Sequence, residues 1–306
     1  VLVPEPMVDI SSPAIGLAEM PTIMPTEQNL VISVSELSAA AFCSEFQSLK
    51  FARGWEDVVV DYWPKLKHGD KALPNDPLLS SLGLSRMVRG IALHRVLELA
   101  SSEPGNMEKV EGWLYDSFSI SGVNVKTPGF KRLVDRDKIL LQNFLNSTLG
   151  KTLFDPEHES YPELSFYWLR DRSLVTGSMD RVVRTKDGRW IIADYKSAID
   201  GGAVSRYRFQ VAGYMAALKN FFRVEDPNAT VEGWLIDLES GDAISVSNEE
   251  GAWGAREIKL VQESKRYRER IESAERRGVV ATEACKSCAY SSHCTVGRQY
   301  VLNFPK

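Results

Sequence analysis

Two aspartates and a lysine in the middle of the chain form a set that suits phosphate chemistry. Asp180 lies in an apolar segment at residues 175–183, and Asp194 and Lys196 end a second one at residues 190–196. Two carboxylates can hold a hard divalent cation, which stabilises charge on a phosphate and lowers the pKa of a bound water. A lysine beside them can orient that water or neutralise developing negative charge. The set predicts metal-assisted hydrolysis, whereas an isolated Asp-x-Lys usually marks only an ion pair at a strand end.

The residues between these apolar segments predict a β-hairpin. Residues 186–189 read Lys-Asp-Gly-Arg, a turn sequence, and they join two runs rich in Val and Ile. Side chains alternate between the faces of a strand, so Asp194 and Lys196 should point to one side and Tyr195 to the other. A carboxylate on the first strand can then meet a carboxylate on the second, with an ammonium group beside them.

Two predicted helices carry polar residues that can reach this hairpin. Apolar residues at helical spacing predict a helix over residues 86–100, which contains His94. A second predicted helix over residues 207–220 carries Gln210 and Tyr214, one turn apart on one face. Taken singly, such a histidine is more often a hydrogen-bonded core residue, and the glutamine and tyrosine are ordinary helix residues. Their meaning depends on their order relative to the hairpin.

The four pieces occur in an order that resembles the RecB-type branch of the PD-(D/E)XK nuclease superfamily. The matching pieces are Gly90-x3-His94, Gly177-x2-Asp180-Arg181, Ala193-Asp194-Tyr195-Lys196 and Gln210-x3-Tyr214. Each piece is common by itself, and the order of all four makes the resemblance specific. Much of residues 101–160 shows no recognisable match to this family.

The resemblance implies a role for each of these side chains. The implied ligands of Mg²⁺ or Mn²⁺ are His94, Asp180, Asp194 and the Tyr195 carbonyl. The implied catalytic residues are Asp180, Asp194 and Lys196, with Gln210 and Tyr214 holding the substrate strand. In the family the lysine serves the attacking water. Glu163, just before the hairpin, is expected to be a further carboxylate of the site.

The four cysteines give a second, independent signal. Cys285, Cys288 and Cys294 follow the spacing C-x2-C-x5-C, and Cys43 lies far from them near the first predicted helix. Four thiolates suit an iron–sulfur cluster or zinc, although zinc more often recruits two close C-x2-C pairs. Four unconnected buried cysteines are the plain alternative.

The cysteine pattern resembles the cluster-bearing RecB-type nucleases. These are the CRISPR-associated cluster nucleases, the AddB subunit of helicase-nucleases and exonuclease V. The resemblance implies that Cys43, Cys285, Cys288 and Cys294 hold a 4Fe–4S cluster, which joins the N- and C-terminal segments.

The combined resemblance implies a metal-dependent DNA nuclease, an exonuclease acting on single-stranded or frayed ends. The alternative is a scaffold of the same fold that binds DNA ends, or a protein partner in repair or CRISPR adaptation, without cutting. The intact set of His94, Asp180, Asp194 and Lys196 favours the enzyme, because a scaffold has no need of it. Aromatic residues could stack unpaired bases near the site. The candidates are Tyr167, Trp168, Tyr207 and Phe209.

The order of helices and strands predicts an α/β fold, a central mixed sheet flanked by helices, as in the restriction-endonuclease-like core. We expect an extended, proline-containing arm over residues 1–30 and a single nuclease domain over residues 31–306. Within that domain we expect a helical insertion at about residues 101–160 and the cysteine-bearing segment at residues 278–306. A long charged helix is predicted over residues 256–277.

Composition limits the setting of this domain. The 306 residues carry a net charge of −4, so any nucleic-acid surface must be local. No apolar run approaches the roughly 20 residues needed to span a bilayer, and residues 1–30 lack the basic start of a secretory signal. We expect an intracellular protein, cytoplasmic or, in a eukaryote, nuclear or mitochondrial, with no membrane partner.

Overall fold

The computed structural model describes residues 31–52, 76–103, 105–170, 173–199, 204–222, 228–247, 285, 288, 290–291 and 294–303. The predicted arm at residues 1–30 and the predicted charged helix at residues 256–277 lie outside the described residues. The proposed domain boundaries therefore stay predictions.

Six strands form one mixed sheet. They are β1 (Val31–Ser33), β2 (Glu159–Arg170), β3 (Ser173–Arg184), β4 (Trp190–Lys196), β5 (Val231–Asp237) and β6 (Ala243–Val246). The order is β1-β3-β4-β5-β6, and β2 also pairs with β3. The pairs β1–β3 and β4–β5 are parallel, whereas β2–β3, β3–β4 and β5–β6 are antiparallel. The predicted α/β fold with a central mixed sheet is confirmed.

Helices lie on both faces of this sheet. The α-helices are α1 (Val34–Phe42), α2 (Ser44–Gln47), α3 (Pro77–Ser81), α4 (Arg86–Ser102), α5 (Val110–Ile120), α6 (Phe130–Asn146), α7 (Thr148–Leu153), α8 (Val204–Phe222) and α9 (Thr295–Asn303). A π-helical turn (Ser48–Ala52) and a 3-10 turn (Met107–Lys109) complete the described helical elements. None of the described helices has the length and apolarity that a membrane crossing requires.

Local signals in the sequence explain where several helices begin. Ser33 caps α1 by accepting a hydrogen bond from the Glu36 N–H at 3.0 Å. Helix α6 ends at Asn146, and the Ser147 hydroxyl caps α7 by accepting a hydrogen bond from the Gly150 N–H at 3.0 Å. Gly150 is needed there, because a Cβ atom would lie 2.0 Å from the Phe144 carbonyl oxygen.

The two faces of the sheet bury separate hydrophobic cores. On one face, α4 to α7 pack against β3, β4 and β5, and we call this the α4 side. Its core includes Leu93, Leu97, Leu114, Leu141, Val183, Ile191 and Tyr195. On the other face, α1 and α8 cover the strands, and we call this the α8 side. Its core includes Leu37, Val175, Met179, Ile192, Val211, Met215 and Leu235.

Candidate functional site

The predicted hairpin is present, and its open end carries both aspartates. Strands β3 and β4 pair from Arg184 and Trp190 as far as Arg181 and Ala193, so Asp180 and Asp194 come directly after the last pair. There the Tyr195 N–H donates to Asp180 Oδ2 at 2.7 Å instead of to the backbone of β3. The Asp180 carboxylate therefore lies where the two strands separate.

Strand β3 changes its alternation at this point. Met179 and Val182 both lie in the core on the α8 side although they are three residues apart. A regular strand puts every second residue on one face, so Asp180 and Arg181 must both turn toward the α4 side. Arg181 is buried there, and its guanidinium lies over the Phe154 ring at 3.7 Å. The same irregularity directs Asp180 toward helix α4.

Strand β2 is irregular at the matching position. Pro162 pairs with Arg181 and Leu164 with Met179, so Glu163 lies opposite Asp180. The Glu163 backbone has a φ angle of 49°, and no other non-glycine residue in the described chain has a positive φ angle. A left-handed backbone costs a residue of this type about 1–3 kcal/mol.

The Glu163 side chain lies close to Asp180. Its Oε2 accepts a hydrogen bond from the Ser178 hydroxyl at 3.3 Å. Partial burial of the carboxyl group and, after that, the charge of Asp180 raise the pKa of Glu163. Two like charges therefore meet across the strand pair, an arrangement that a cation would stabilise.

His94 reaches these carboxylates from helix α4. Its Nδ1 lies 3.6 Å from Asp180 Oδ2, and its Nε2 lies 2.9 Å from the Tyr195 carbonyl oxygen. Donor atoms of His94, Glu163 and Asp180 all lie within 4.8 Å of one another. The structure thus brings together three of the four predicted ligands, His94, Asp180 and the Tyr195 carbonyl, and adds Glu163 to them.

Asp194 and Lys196 point to the α8 side of the sheet, as strand alternation predicts. Asp194 is 1% exposed, and its Oδ2 lies 2.6 Å from Lys196 Nζ. Burial raises the pKa of Asp194 to about 6, against the opposing effect of Lys196. Burial lowers the pKa of Lys196, but the Asp194 and Asp180 charges outweigh it, and the pKa is raised. Asp194 lies near Asp180 and His94, whose charges also affect its pKa, but it is outside the 4.8 Å group.

Gln210 and Tyr214 lie buried on helix α8, on the same side as Asp194. The Gln210 amide donates to the Tyr214 hydroxyl at 2.7 Å and to the Ser35 hydroxyl at 3.1 Å. Burial, followed by the Asp194 charge, raises the pKa of Tyr214. The two residues thus form a buried, hydrogen-bonded pair that lies close enough to Asp194 for its charge to affect Tyr214.

Gly177 makes room for this tyrosine. A Cβ atom at Gly177 would lie 2.6 Å from the Phe166 ring and 3.2 Å from the Tyr214 ring. The glycine of the Gly-x-x-Asp piece therefore lets two aromatic rings pack against β3, three residues before Asp180.

Two of the four cysteines pack against a third, smaller core. Cys43 and Cys288 pack there against buried residues, which are Ala39, Phe46, Leu49 and Tyr290. Burial and, to a smaller extent, the other three cysteines together raise the pKa of the Cys288 thiol to about 12. Among the described residues, none of the four cysteines forms a disulfide bond. They interact electrostatically, but within the described residues no three of their Sγ atoms lie as close together as the donor atoms around His94.

A sequence comparison identifies the family. A family model described as the PD-(D/E)XK nuclease superfamily matches residues 65–295, about three quarters of the chain. The chain belongs to the PD-(D/E)XK nuclease superfamily. Membership indicates a metal-dependent nuclease that acts on DNA.

Other comparisons add little to this family assignment. No curated protein matches the sequence. One solved structure, described as the crystal structure of SSO0001, shares 11% identity over 89% of both chains, with a TM-score of 0.39. That score is too low to establish a common fold.

The donor set of this PD-(D/E)XK protein fits a hard divalent cation. Carboxylate and carbonyl oxygens with one imidazole suit Mg²⁺ or Mn²⁺. Both Asp194 oxygens are buried; Oδ2 is paired with Lys196, whereas Oδ1 has no hydrogen-bond partner among the described residues. Buried acceptors of this kind usually have a partner, and a bound cation would supply one.

Sequence reasoning underrated one residue of the site. The sequence predicts Glu163 as a further carboxylate of the site but not its position opposite Asp180, which depends on the irregular backbone of β2. A signal did exist in the sequence. Tyr161 and Leu164, three apart, both face the α8 side, so the apolar alternation breaks next to Glu163.

Proposed function

We propose that this chain is a metal-dependent DNA nuclease of the RecB-type branch that hydrolyses single strands from their ends. The observation that carries the proposal is the convergence of His94, Asp180 and the Tyr195 carbonyl beside the Asp194–Lys196 ion pair. Asp180 and Asp194 follow the last pair of one hairpin, and His94 comes from a helix about 100 residues earlier. Such a set suits phosphodiester hydrolysis.

The proposed roles follow from charge and burial. His94, Asp180, Asp194 and the Tyr195 carbonyl would hold the cation, which when bound supplies charge stabilisation on the phosphate and a more acidic water. The raised pKa of Lys196 keeps its amine protonated at neutral pH. Lys196 would therefore donate hydrogen bonds to the attacking water or the phosphate and would not act as a base.

An exposed aromatic side chain supports a single-stranded substrate. Tyr167 of β2 is 71% exposed and points to the same face as Glu163, four residues away. At about 3.3 Å per residue the two lie roughly 13 Å apart. Unpaired bases stack on exposed aromatic rings without sequence preference. Trp168, Tyr207 and Phe209 instead pack against the core on the α8 side, which makes Tyr167 the strongest of the four candidates.

The test is digestion of end-labelled oligonucleotides in Mg²⁺ and in Mn²⁺. We expect single strands with free ends to be shortened progressively, and strands blocked at the attacked end, as well as blunt duplexes, to resist. Internal cleavage of circular single strands would instead identify an endonuclease. Tight binding of strands without any cleavage in either metal would support the scaffold alternative and contradict the proposal.

We also propose that Cys43, Cys285, Cys288 and Cys294 hold a 4Fe–4S cluster with a structural role. Two observations support the cluster. The four cysteines interact electrostatically. Cys43 and Cys288 pack against the same core, in which the rings of Phe46 and Tyr290 lie 5.0 Å apart. The thiolates of a cluster are separated by the cluster itself, so they need not be as close as the ligands of one ion. Binding would have to displace the proton of Cys288.

Metal analysis of protein purified without oxygen tests the cluster. We expect a brown protein with iron and acid-labile sulfide in equal amounts, and we expect Cys288→Ser to lose both and to unfold more easily. A colourless protein that contains stoichiometric zinc would show that the cysteines hold zinc instead. A protein without either metal would leave the cysteines as ordinary buried thiols.

A further inference from the structure

We infer that Glu163, which the sequence predicts only as a further carboxylate of the site, is a direct ligand of the metal centre. The inference rests on the proposed function, because it concerns the same centre. It adds one carboxylate, supplied by strand β2, to the donors of helix α4 and of the hairpin.

The first observation is the distance between donor atoms. A Glu163 carboxylate oxygen, an Asp180 carboxylate oxygen and a His94 ring nitrogen all lie within 4.8 Å of one another. Ligands of one ion, each about 2.0–2.6 Å from it, lie at such separations. Asp194 is outside this group and is held by Lys196 on the α8 side. Glu163 is therefore placed at least as well as Asp194 to share an ion with Asp180.

The second observation is the backbone of Glu163. Its φ angle of 49° belongs to the region that glycine and asparagine tolerate best, yet a glutamate occupies it. The conformation accompanies the change of face between Tyr161 and Leu164, and it places the side chain opposite Asp180. A strained position of this kind is expected where the side chain has a function.

A purely structural role explains Glu163 poorly. Like charges directly opposite each other on neighbouring strands destabilise a sheet, and Glu163 faces Asp180. Its hydrogen bond from Ser178 is long, at 3.3 Å, and is exposed to solvent. Strain and repulsion thus oppose folding of the metal-free protein, and a cation between the carboxylates would relieve the repulsion.

Glu163 also lies on the accessible side of the centre. The residue is exposed, whereas Asp194 is buried beneath it. A ligand in this position can hold the ion before DNA arrives. It lies on the same face as Tyr167, along which the single strand is proposed to run.

Binding of Mn²⁺ without DNA tests the inference directly. We would titrate the protein with Mn²⁺ and follow the free ion by electron paramagnetic resonance, for wild type, Glu163→Gln and Glu163→Gly. Loss of an outer partner of a ligand already weakens metal binding about 10- to 100-fold, so loss of Glu163 should weaken it by at least about tenfold. The matched control is Glu159→Gln, which removes an exposed carboxylate from the same strand and should leave the affinity unchanged.

Thermal unfolding of the metal-free protein provides the second measurement. Glu163→Gly removes the strain of a left-handed backbone at a glutamate and the repulsion between its carboxylate and that of Asp180. We therefore expect this variant to melt at a higher temperature than wild type. A lower melting temperature together with unchanged Mn²⁺ affinity would assign Glu163 a structural role and overturn the inference.

The variant Asp180→Asn shows whether a negative result concerns only the role of Glu163 or the metal centre as a whole. If Asp180→Asn weakens Mn²⁺ binding and Glu163→Gln does not, Glu163 is no ligand while the centre stands. If wild-type protein binds no Mn²⁺, the metal centre itself is wrong, and the inference falls with it.

Discussion

Replacing Asp194 with asparagine is expected to reduce DNA cleavage by about 10²- to 10³-fold or more, since a buried, preorganised charge contributes that much at such sites. The substitution removes one anionic oxygen next to Lys196 Nζ, 2.6 Å away, and keeps the shape of the side chain. Asp194 Oδ1 is buried without a hydrogen-bond partner among the described residues, so the interaction that the change weakens is the ion pair with Lys196. Initial rates on a labelled single strand, in Mg²⁺ and Mn²⁺, give the measurement.

Asp242→Asn is the matched control for this loss of activity. Asp242 lies exposed in the turn between β5 and β6 and carries the same chemical change away from the centre. We expect its rate to equal that of wild type, and we expect both variants to bind the strand and to keep the circular dichroism of the native fold. An Asp194→Asn protein that still cleaves at the wild-type rate would remove Asp194 from the active site.

Replacing Asp137 with alanine is expected to lower the free energy of unfolding by about 3–5 kcal/mol, the usual cost of leaving one partner of a buried ion pair alone. Asp137 of α6 is fully buried and accepts hydrogen bonds from Arg89 Nε at 3.1 Å and Nη2 at 2.8 Å. Arg89 of α4 is itself 3% exposed. Without Asp137, its guanidinium loses its buried anion. Urea unfolding followed by circular dichroism measures the change.

The same arginine supplies the control for the stability prediction. Arg89 Nη1 also pairs with Glu239 at 2.6 Å, but Glu239 is 45% exposed. Exposed ion pairs contribute about 0–1 kcal/mol, so Glu239→Gln should change the stability little. Equal losses in the two variants would mean that burial of Asp137 does not decide the strength of the pair.

Much of the local structure around the site could be predicted from the sequence. The Lys-Asp-Gly-Arg turn predicted the hairpin, and the alternation of side chains in β4 predicted that Asp194 and Lys196 lie on the same side of the sheet. Each of these features depends on residues close together in the chain, where turn chemistry and strand period act directly.

The features that could not be predicted arise from contacts between distant segments. The position of Glu163 opposite Asp180 requires an irregularity in both β2 and β3, which strict alternation does not include. The Arg89–Asp137 pair joins two helices across 48 residues, and nothing in either segment names its partner. Pairings of this kind are decided by packing of the whole domain, so a single sequence leaves them open.

The proposed metal centre draws its residues from opposite layers of the domain. His94 comes from the α4 side, Asp194 and Lys196 lie on the α8 side, and Asp180 stands in the gap between the strands. A chain that has assembled one layer without the other therefore lacks a complete centre. The proposed cleavage would therefore depend on a chain that has completed both layers.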